Sequence, residues 1–160
     1  MGLLQPIITF KDKVMEAILT SEKIVKLIDD PQFNTVPAIG LKYKKVFPYA
    51  YIPQTIDDAS SIVCFEANIS SISSDTICDV QLNFWVLCQC SVIETTEGAR
   101  EDLIADAIDD LVNHSRDFGI GKVTPYYRDP VTYTIPNYDY ICRKLSYTIK
   151  DFNFRFGARQ

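Results

Sequence analysis

The sequence predicts an α/β fold of the α+β type: a small mixed or antiparallel β-sheet flanked by an N-terminal helix and one central amphipathic helix, with long irregular arms. Segments in which apolar residues alternate with period 2 predict half-buried strands, and segments with apolar residues at helical spacing predict the helices. A length of 160 residues, with 47% hydrophobic and 23% charged residues, is typical of one folded domain, 1–160, with a proper core.

The first predicted element is one bent helix, or two helices in tandem, over residues 9–30. Thr9 is followed three residues later by Asp12, as in a capping pair, and Ser21 is a candidate cap for a second helix. Pro31 is expected to end the segment, because proline has no amide hydrogen to continue a helix. The apolar positions of this face are Phe10, Val14, Ala17, Ile18, Ile24, Val25, Leu27 and Ile28.

Residues 31–60 are predicted to form an extended arm. Prolines interrupt the segment, and lysines and aromatic residues crowd its middle. A stretch of about thirty irregular residues is too long for a plain connector, and such segments in compact domains are often functional. A short strand is expected within residues 42–50.

Residues 61–93 are predicted to form a β-hairpin with its turn at 70–75. The apolar residues of one parity are Val63, Phe65, Ala67 and Ile69 in the first strand, and Cys78, Val80, Leu82, Phe84, Val86, Cys88, Cys90 and Val92 in the second. Both Cys88 and Cys90 are therefore expected on the buried face, with thiols that resist modification. Trp85 lies on the mixed face, where an arm or a neighbouring subunit is expected to cover it.

A metal site at Cys88 and Cys90 is the alternative interpretation, because residues i and i+2 of a strand share a face. Zinc needs about four nitrogen or sulfur ligands, whereas the chain has one histidine and no second close cysteine pair. We interpret the two residues as packing residues, since free cysteine behaves as a small hydrophobe. An odd set of five cysteines also argues against a disulfide framework and fits a reducing cytoplasm.

Residues 98–114 form the clearest predicted helix. Its apolar rows are Leu103, Ala107 and Leu111, and Ile104, Ile108 and Val112; its other face carries Glu101, Asp102, Asp106, Asp109 and Asp110. The simplest interpretation of the acidic face is a solvated surface. Two alternatives remain: a site for a hard cation, although carboxylates along one helix diverge, and a surface that docks onto a basic neighbour.

Residues 120–152 are predicted to form strands around a Tyr- and Pro-rich loop at 125–140. A short strand is expected near 122–124. In the last strand, Ile141, Leu145, Tyr147 and Ile149 point one way, and Cys142, Lys144, Ser146, Thr148 and Lys150 point the other. Residues 151–160 form a short basic and aromatic tail.

Several functional classes are disfavoured by the sequence. A net charge of −5 argues against a broad basic surface for nucleic acid. No apolar stretch is long enough for a membrane span, and the N-terminus does not resemble a signal peptide. His114 lacks an evident catalytic partner, so we expect no enzyme, no catalytic residue, no metal and no cofactor.

The aromatic arms are the best candidates for an interface, because aromatic residues are enriched at protein interfaces. The candidate residues of the arms and of the acidic helix are Lys42, Lys44, Lys45, Phe47, Tyr49, Tyr51, Asp102, Asp106, Asp109, Tyr126, Tyr127, Tyr133 and Tyr138. The acidic helix is expected to face the three lysines of an adjoining copy.

Four runs and the order of the elements resemble the tail terminator, or tail completion, proteins of long-tailed bacteriophages and phage-tail-like particles of Gram-positive bacteria. The runs are KKVFPYAYIPQTIDDASSIVCFEANIS, LNFWVLCQCSV, REDLIADAIDDLV and YTIKDFN. The resemblance spans most of the chain and rests on loose structural motifs. It implies a hexameric ring that caps the head-proximal end of the tail tube, ends tail polymerisation and joins the tail to the neck.

The partners implied by the resemblance are further copies of the chain, the tail tube protein, neck or connector proteins, and the sheath of a contractile tail. DNA would only pass through the ring channel, and the location would be the tail–neck junction of the virion. A neck connector or head-completion protein is the alternative. A small metal-dependent enzyme using the acidic helix and a monomeric host-directed binding module are the more distant ones.

Overall fold

The computed structural model describes residues 5–28, 38–51, 60–74, 76–126, 132–135 and 139–152. It confirms the predicted α+β class: helices pack against a mixed β-sheet. The helices are α1 (Gln5–Thr20), α2 (Glu22–Ile28) and α3 (Arg100–Val112). The strands are β1 (Val46–Phe47), β2 (Ser61–Ile72), β3 (Ile77–Gln89), β4 (Glu94–Thr95), β5 (Gly98–Ala99), β6 (Thr124–Pro125), β7 (Thr132–Ile135) and β8 (Tyr140–Phe152).

The N-terminal segment is a tandem pair of helices. Ser21 separates α1 from α2, and its Oγ accepts the amide hydrogen of Ile24 at 3.5 Å, so it is a cap as predicted. The expected start at Thr9 is wrong, because α1 already begins at Gln5. Pro6 lies in the first turn, where the missing amide hydrogen leaves no helical bond unmade.

Three long antiparallel strands form the centre of the sheet. β3 pairs with β2 on one side and with β8 on the other, from Ile77 opposite Phe152 to Gln89 opposite Tyr140. β1 joins the outer edge of β2 in parallel, and β6 and β7 both pair with the outer edge of β8. β4 and β5 form a separate two-stranded ribbon.

One face of the sheet packs against the helices. Phe84 lies at its centre, with its ring centroid 6.0 Å from that of Phe65 and 6.0 Å from that of Tyr147. The strand residues of this core are Val63, Phe65, Ala67, Cys78, Val80, Leu82, Phe84, Val86, Cys88, Tyr147 and Ile149. The helices contribute Phe10, Val14, Met15, Ile18, Ile24, Ile28, Ile104, Ala105, Ala107, Ile108 and Val112. The predicted parity is therefore confirmed for β2, for β8 and for β3 as far as Cys88.

The start of α3 is fixed by Arg100. Its Nε donates to the carbonyl oxygen of Val92 at 2.8 Å, and its Nη1 donates to that of Leu27 at 2.9 Å. Leu27 belongs to the last turn of α2, where the carbonyl groups carry partial negative charge and a cation is favourable. One side chain therefore joins two helices and the turn that follows β3.

The hairpin ends differ from the prediction. The expected turn at 70–75 is wrong, because β2 continues to Ile72 past a register shift between Ile69 and Ser71. The strand expected to reach Val92 ends at Gln89. There the chain enters a short 3₁₀ turn, and the amide of Cys90 donates to the carbonyl of Asp139 at 2.8 Å.

Cys88 and Cys90 consequently differ, although both were expected to be buried. Cys88 has no exposed surface, and its thiol donates to Ser61 Oγ at 3.3 Å. Cys90 is exposed on the 3₁₀ turn, since strand parity no longer applies beyond Gln89. Burial raises the pKa of Cys88 to about 12, as it does for Cys64 on the other face.

The loop expected at 125–140 also contains regular structure. Thr132–Ile135 forms β7, which pairs in register with β8 from Arg143 to Tyr140. The short strand expected near 122–124 lies slightly later, at Thr124–Pro125. The outer edge of β8 is therefore paired at both of its ends.

Thiol labelling tests the difference between the two cysteines. We expect a water-soluble maleimide to modify Cys90 in the native protein, while Cys88 reacts only in denaturant, because a buried thiol is neither accessible nor ionised. Mass spectrometry of tryptic peptides after timed quenching measures both rates, with a Cys90→Ser variant as the control. Equal native rates at the two positions would show that β3 does not end where described.

Candidate interaction surfaces

The lysine-rich part of the first arm is a compact turn. The amide of Tyr43 donates to the carbonyl of Val46 at 2.8 Å, and those of Lys44 and Lys45 donate to Leu41 at 3.0 and 2.9 Å. Tyr43 has φ 60, a left-handed conformation that is uncommon for a bulky residue. We call residues 42–45 the lysine turn; it lies beyond the β1 edge of the sheet, and Tyr43 on it is 56% exposed.

The aromatic residues of this arm divide into two groups. Phe47 is buried, and its ring stacks on that of Tyr51 with centroids 4.2 Å apart. Both cover the second face of the sheet, where the buried residues are Phe47, Ile62, Cys64, Leu87, Tyr140 and Cys142. Tyr49 meets the Phe47 ring edge-on and is 45% exposed, so it is available to a neighbour together with the lysine turn.

The second arm is described only in part. Tyr126 is exposed, and its amide donates to the carbonyl of Ser146 at 2.7 Å. Tyr133 lies on β7 opposite Cys142. Tyr127 and Tyr138 lie outside the described residues. The structure therefore places two of the four predicted tyrosines of this arm along the outer edge of β8.

The exposed carboxylates of α3 form ion pairs within the chain. Lys23 of α2 contacts both Asp106 and Asp110 at 3.1 Å, and these hydrogen bonds raise the pKa of Lys23. Asp102 pairs with Arg143 of β8. Ion pairs between exposed side chains contribute little to stability, so the pairs made by Lys23 are readily exchanged for others.

Asp109 differs from the other carboxylates of α3. Its Oδ1 accepts the hydroxyl hydrogen of Tyr147, which is buried, at 2.6 Å. Its Oδ2 accepts from the side chain of Asn113 at 3.2 Å. We therefore assign Asp109 a role in attaching α3 to the sheet, in addition to the interface role predicted from the sequence.

Trp85 lies where the second face changes from apolar to polar. Its cross-strand neighbours are Cys64 and Lys144, and the Lys144 Nζ is 6.0 Å from the centre of its ring. Trp85 is half-buried against the apolar residues of the second face. In the next row, Ser146 donates to Asn83 Oδ1 at 2.7 Å, which begins the polar part of this face.

Glu101 is the residue for which the sequence pattern failed. It was expected on the solvated face of α3, but it is only 4% exposed, and its Oε2 has no hydrogen-bond partner. Burial raises the pKa of this carboxyl, and the neighbouring charge of Asp102 raises it further. Arg143 opposes the shift.

Replacing Glu101 with Gln tests this burial. Because folding raises the pKa of Glu101, ionisation of this carboxyl destabilises the fold. This loss of stability is present at neutral pH, and it becomes smaller as pH falls towards the ordinary pKa of glutamate. We expect the variant to be more stable than the wild type by about 1 kcal/mol at pH 7, with the difference shrinking as pH falls and disappearing below pH 4.5.

Urea unfolding followed by circular dichroism at both pH values measures this difference. Glu97→Gln, an exposed position in the turn between β4 and β5, is the matched control and should change stability equally little at either pH. A variant that is less stable than the wild type at pH 7 would contradict the assignment.

Among the described residues there is neither a candidate metal site nor a helix that could span a membrane. They hold no cluster of three or more His, Cys, Asp or Glu side chains suited to a metal ion. None of the described helices is long and apolar enough to cross a membrane.

Comparison with known protein families gives a match over most of the chain. The family model described as YomW matches residues 21–149, which include α2, α3 and all the strands except the last part of β8. No curated protein and no solved structure matches the chain.

Proposed function

This chain belongs to the YomW family, which derives from Bacillus phage, and from that premise we propose that it is a structural protein of the virion, the tail terminator. In this role its copies form a hexameric ring on the head-proximal end of the tail tube. The ring stops further addition of tube subunits and presents a surface to the neck.

The positions of the basic and the acidic side chains at opposite edges of the subunit carry this proposal. The lysine turn lies beyond β1, at one edge of the sheet. The acidic side of α3 lies over β3 and β8, towards the other edge, where Asp102 contacts Arg143. A subunit with a basic edge and an acidic edge suits head-to-tail contacts, which close into a ring when the rotation between copies is right.

The shape of the chain supports the same role. The described body consists of three long paired strands packed against helices, and the exposed Tyr43 and Tyr49 lie beside the lysine turn. Exposed aromatic and basic side chains outside a pocket fit a contact with a neighbouring subunit better than a small-molecule site.

Removal of the gene from the phage or prophage that encodes it is the direct test. We expect tails of uncontrolled length, because nothing would stop polymerisation of the tube. Negative-stain electron microscopy measures the length distribution, and expression of the chain from a plasmid is the control. Tails of normal length would contradict the proposal.

A neck connector or head-completion protein is the second candidate, because opposed charged edges suit any ring at the head–tail interface. Gold-labelled antibody separates the two roles. A terminator is found on tails that have not joined a head. Label on head particles alone would assign the chain to the neck.

Charge reversal at the lysine turn tests the proposed ring contact. We expect Lys44→Glu with Lys45→Glu to reproduce the long-tail phenotype, because like charges would then meet at each junction. Lys13→Glu with Lys122→Glu, both exposed elsewhere, is the matched control and should leave tail length unchanged. Normal thermal unfolding of both variants confirms that they fold, and normal tails from the first variant would exclude this contact.

A further inference from the structure

A groove of about 730 Å³ lies between α1, α2 and the 3₁₀ turn Ala38–Leu41 that precedes the lysine turn. Its floor is apolar, formed by Met15, Leu19, Val25, Ala38 and Ile39. Ile39 is 65% exposed, the largest exposure among the large hydrophobic side chains described. Such a surface is unfavourable in water and is typical of a docking site.

The rim of the groove is acidic. Among the described residues that line it, Asp12, Glu16 and Glu22 are acidic and Lys42 is basic. An occupant with apolar side chains on one side and positive charge on the other matches both the floor and the rim.

The last eight residues of the sequence, NFRFGARQ at 153–160, have this chemistry. They contain Arg155 and Arg159 and no acidic residue, although the chain as a whole has a net charge of −5. In an extended peptide, alternate side chains point to opposite sides. Phe154 and Phe156 would then face the floor while Arg155 faces the rim.

We propose that residues 153–160 of one copy occupy the groove between α1 and α2 of a second copy. The proposal deepens the function proposed above, since it names a contact between neighbouring ring subunits. It assigns the groove an occupant from the chain itself, bound through two aromatic anchors and through arginine–carboxylate pairs at the rim.

Geometry favours a second copy over the same chain. Phe152 lies opposite Ile77, at the hairpin end of the sheet, whereas the 3₁₀ turn is joined to β1, whose Val46 pairs with Val63. The distance along β2 from Ile72 back to Val63 is about 30 Å. Phe154 and Phe156, two and four residues beyond Phe152, reach at most about 7 and 14 Å along the chain, which is less than the distance to the level of Val63, where the segment that follows the 3₁₀ turn joins the sheet.

Photo-crosslinking in the full-length purified protein tests the occupant. A benzophenone amino acid replaces the exposed Ile39, and equal amounts of ¹⁴N- and ¹⁵N-labelled protein are mixed before irradiation. We expect crosslinked peptides of mixed isotope composition that contain residues 153–160. Crosslinks within one copy, crosslinks to residues 29–37 that connect α2 to the groove, or none to the tail would each overturn the proposal.

A reciprocal charge swap tests the contact energetically. We expect Glu16→Arg with Glu22→Arg, and separately Arg155→Glu with Arg159→Glu, each to weaken self-association about tenfold or more. Mixing the two variants should restore association, because each supplies the complement of the other. Glu94→Arg with Glu97→Arg is the matched control on the β4–β5 ribbon. Sedimentation velocity measures association, and failure of the mixture to recover would contradict the contact.

The two proposals fail separately. Normal tail length without the gene would exclude the terminator role and leave the crosslink result standing. If the crosslink is absent but removal of the gene still gives tails of uncontrolled length, the terminator role is retained. The contact between ring subunits would then lie outside the groove.

Discussion

The antiparallel register of β3 with β2 and β8 is the constraint on which the rest of the structure depends. Strand side chains alternate strictly, so a shift of one residue would turn the whole apolar set away from the helices. The register places Phe84 between Phe65 and Leu145 and one row from Tyr147. Phe84 and Tyr147 meet edge-on, and the hydroxyl of Tyr147 reaches Asp109. The position of α3 therefore follows from the pairing of the strands beneath it.

The same register makes the two faces of the sheet unequal. The helical face is apolar from Cys88 to Cys78, whereas the opposite face is apolar only near the start of β2 and becomes polar beyond Trp85. The apolar part of the opposite face is small, and the segment from Phe47 to Tyr51 is long enough to pack over it. This explains why the first arm folds back through its buried aromatic residues and still leaves the lysine turn and Tyr49 at the surface.

Strand identity and parity were predictable from the sequence because they depend on local alternation. The ends of the strands were not, because they depend on distant partners: Cys90 leaves the strand where its amide meets Asp139. Long-range side-chain contacts give no local signal either. Arg100 reaches Leu27, 73 positions away in the sequence, and Glu101 is buried although its neighbours on the acidic face are solvated. Which of the candidate interface residues point outward was not predictable either, because Phe47 is buried whereas Tyr49 is exposed.

The two kinds of polar contact on α3 give the helix a fixed side and an exchangeable side. The Asp109–Tyr147 hydrogen bond is short and partly buried, so breaking it would leave polar groups without partners at a cost of about 1–3 kcal/mol. The pairs from Lys23 to Asp106 and Asp110 are exposed and cost little to replace. In the proposed ring, a neighbouring subunit would therefore take over the outer carboxylates without disturbing the attachment of α3 to the sheet. A ring whose subunits associate without refolding requires this separation between internal and external contacts.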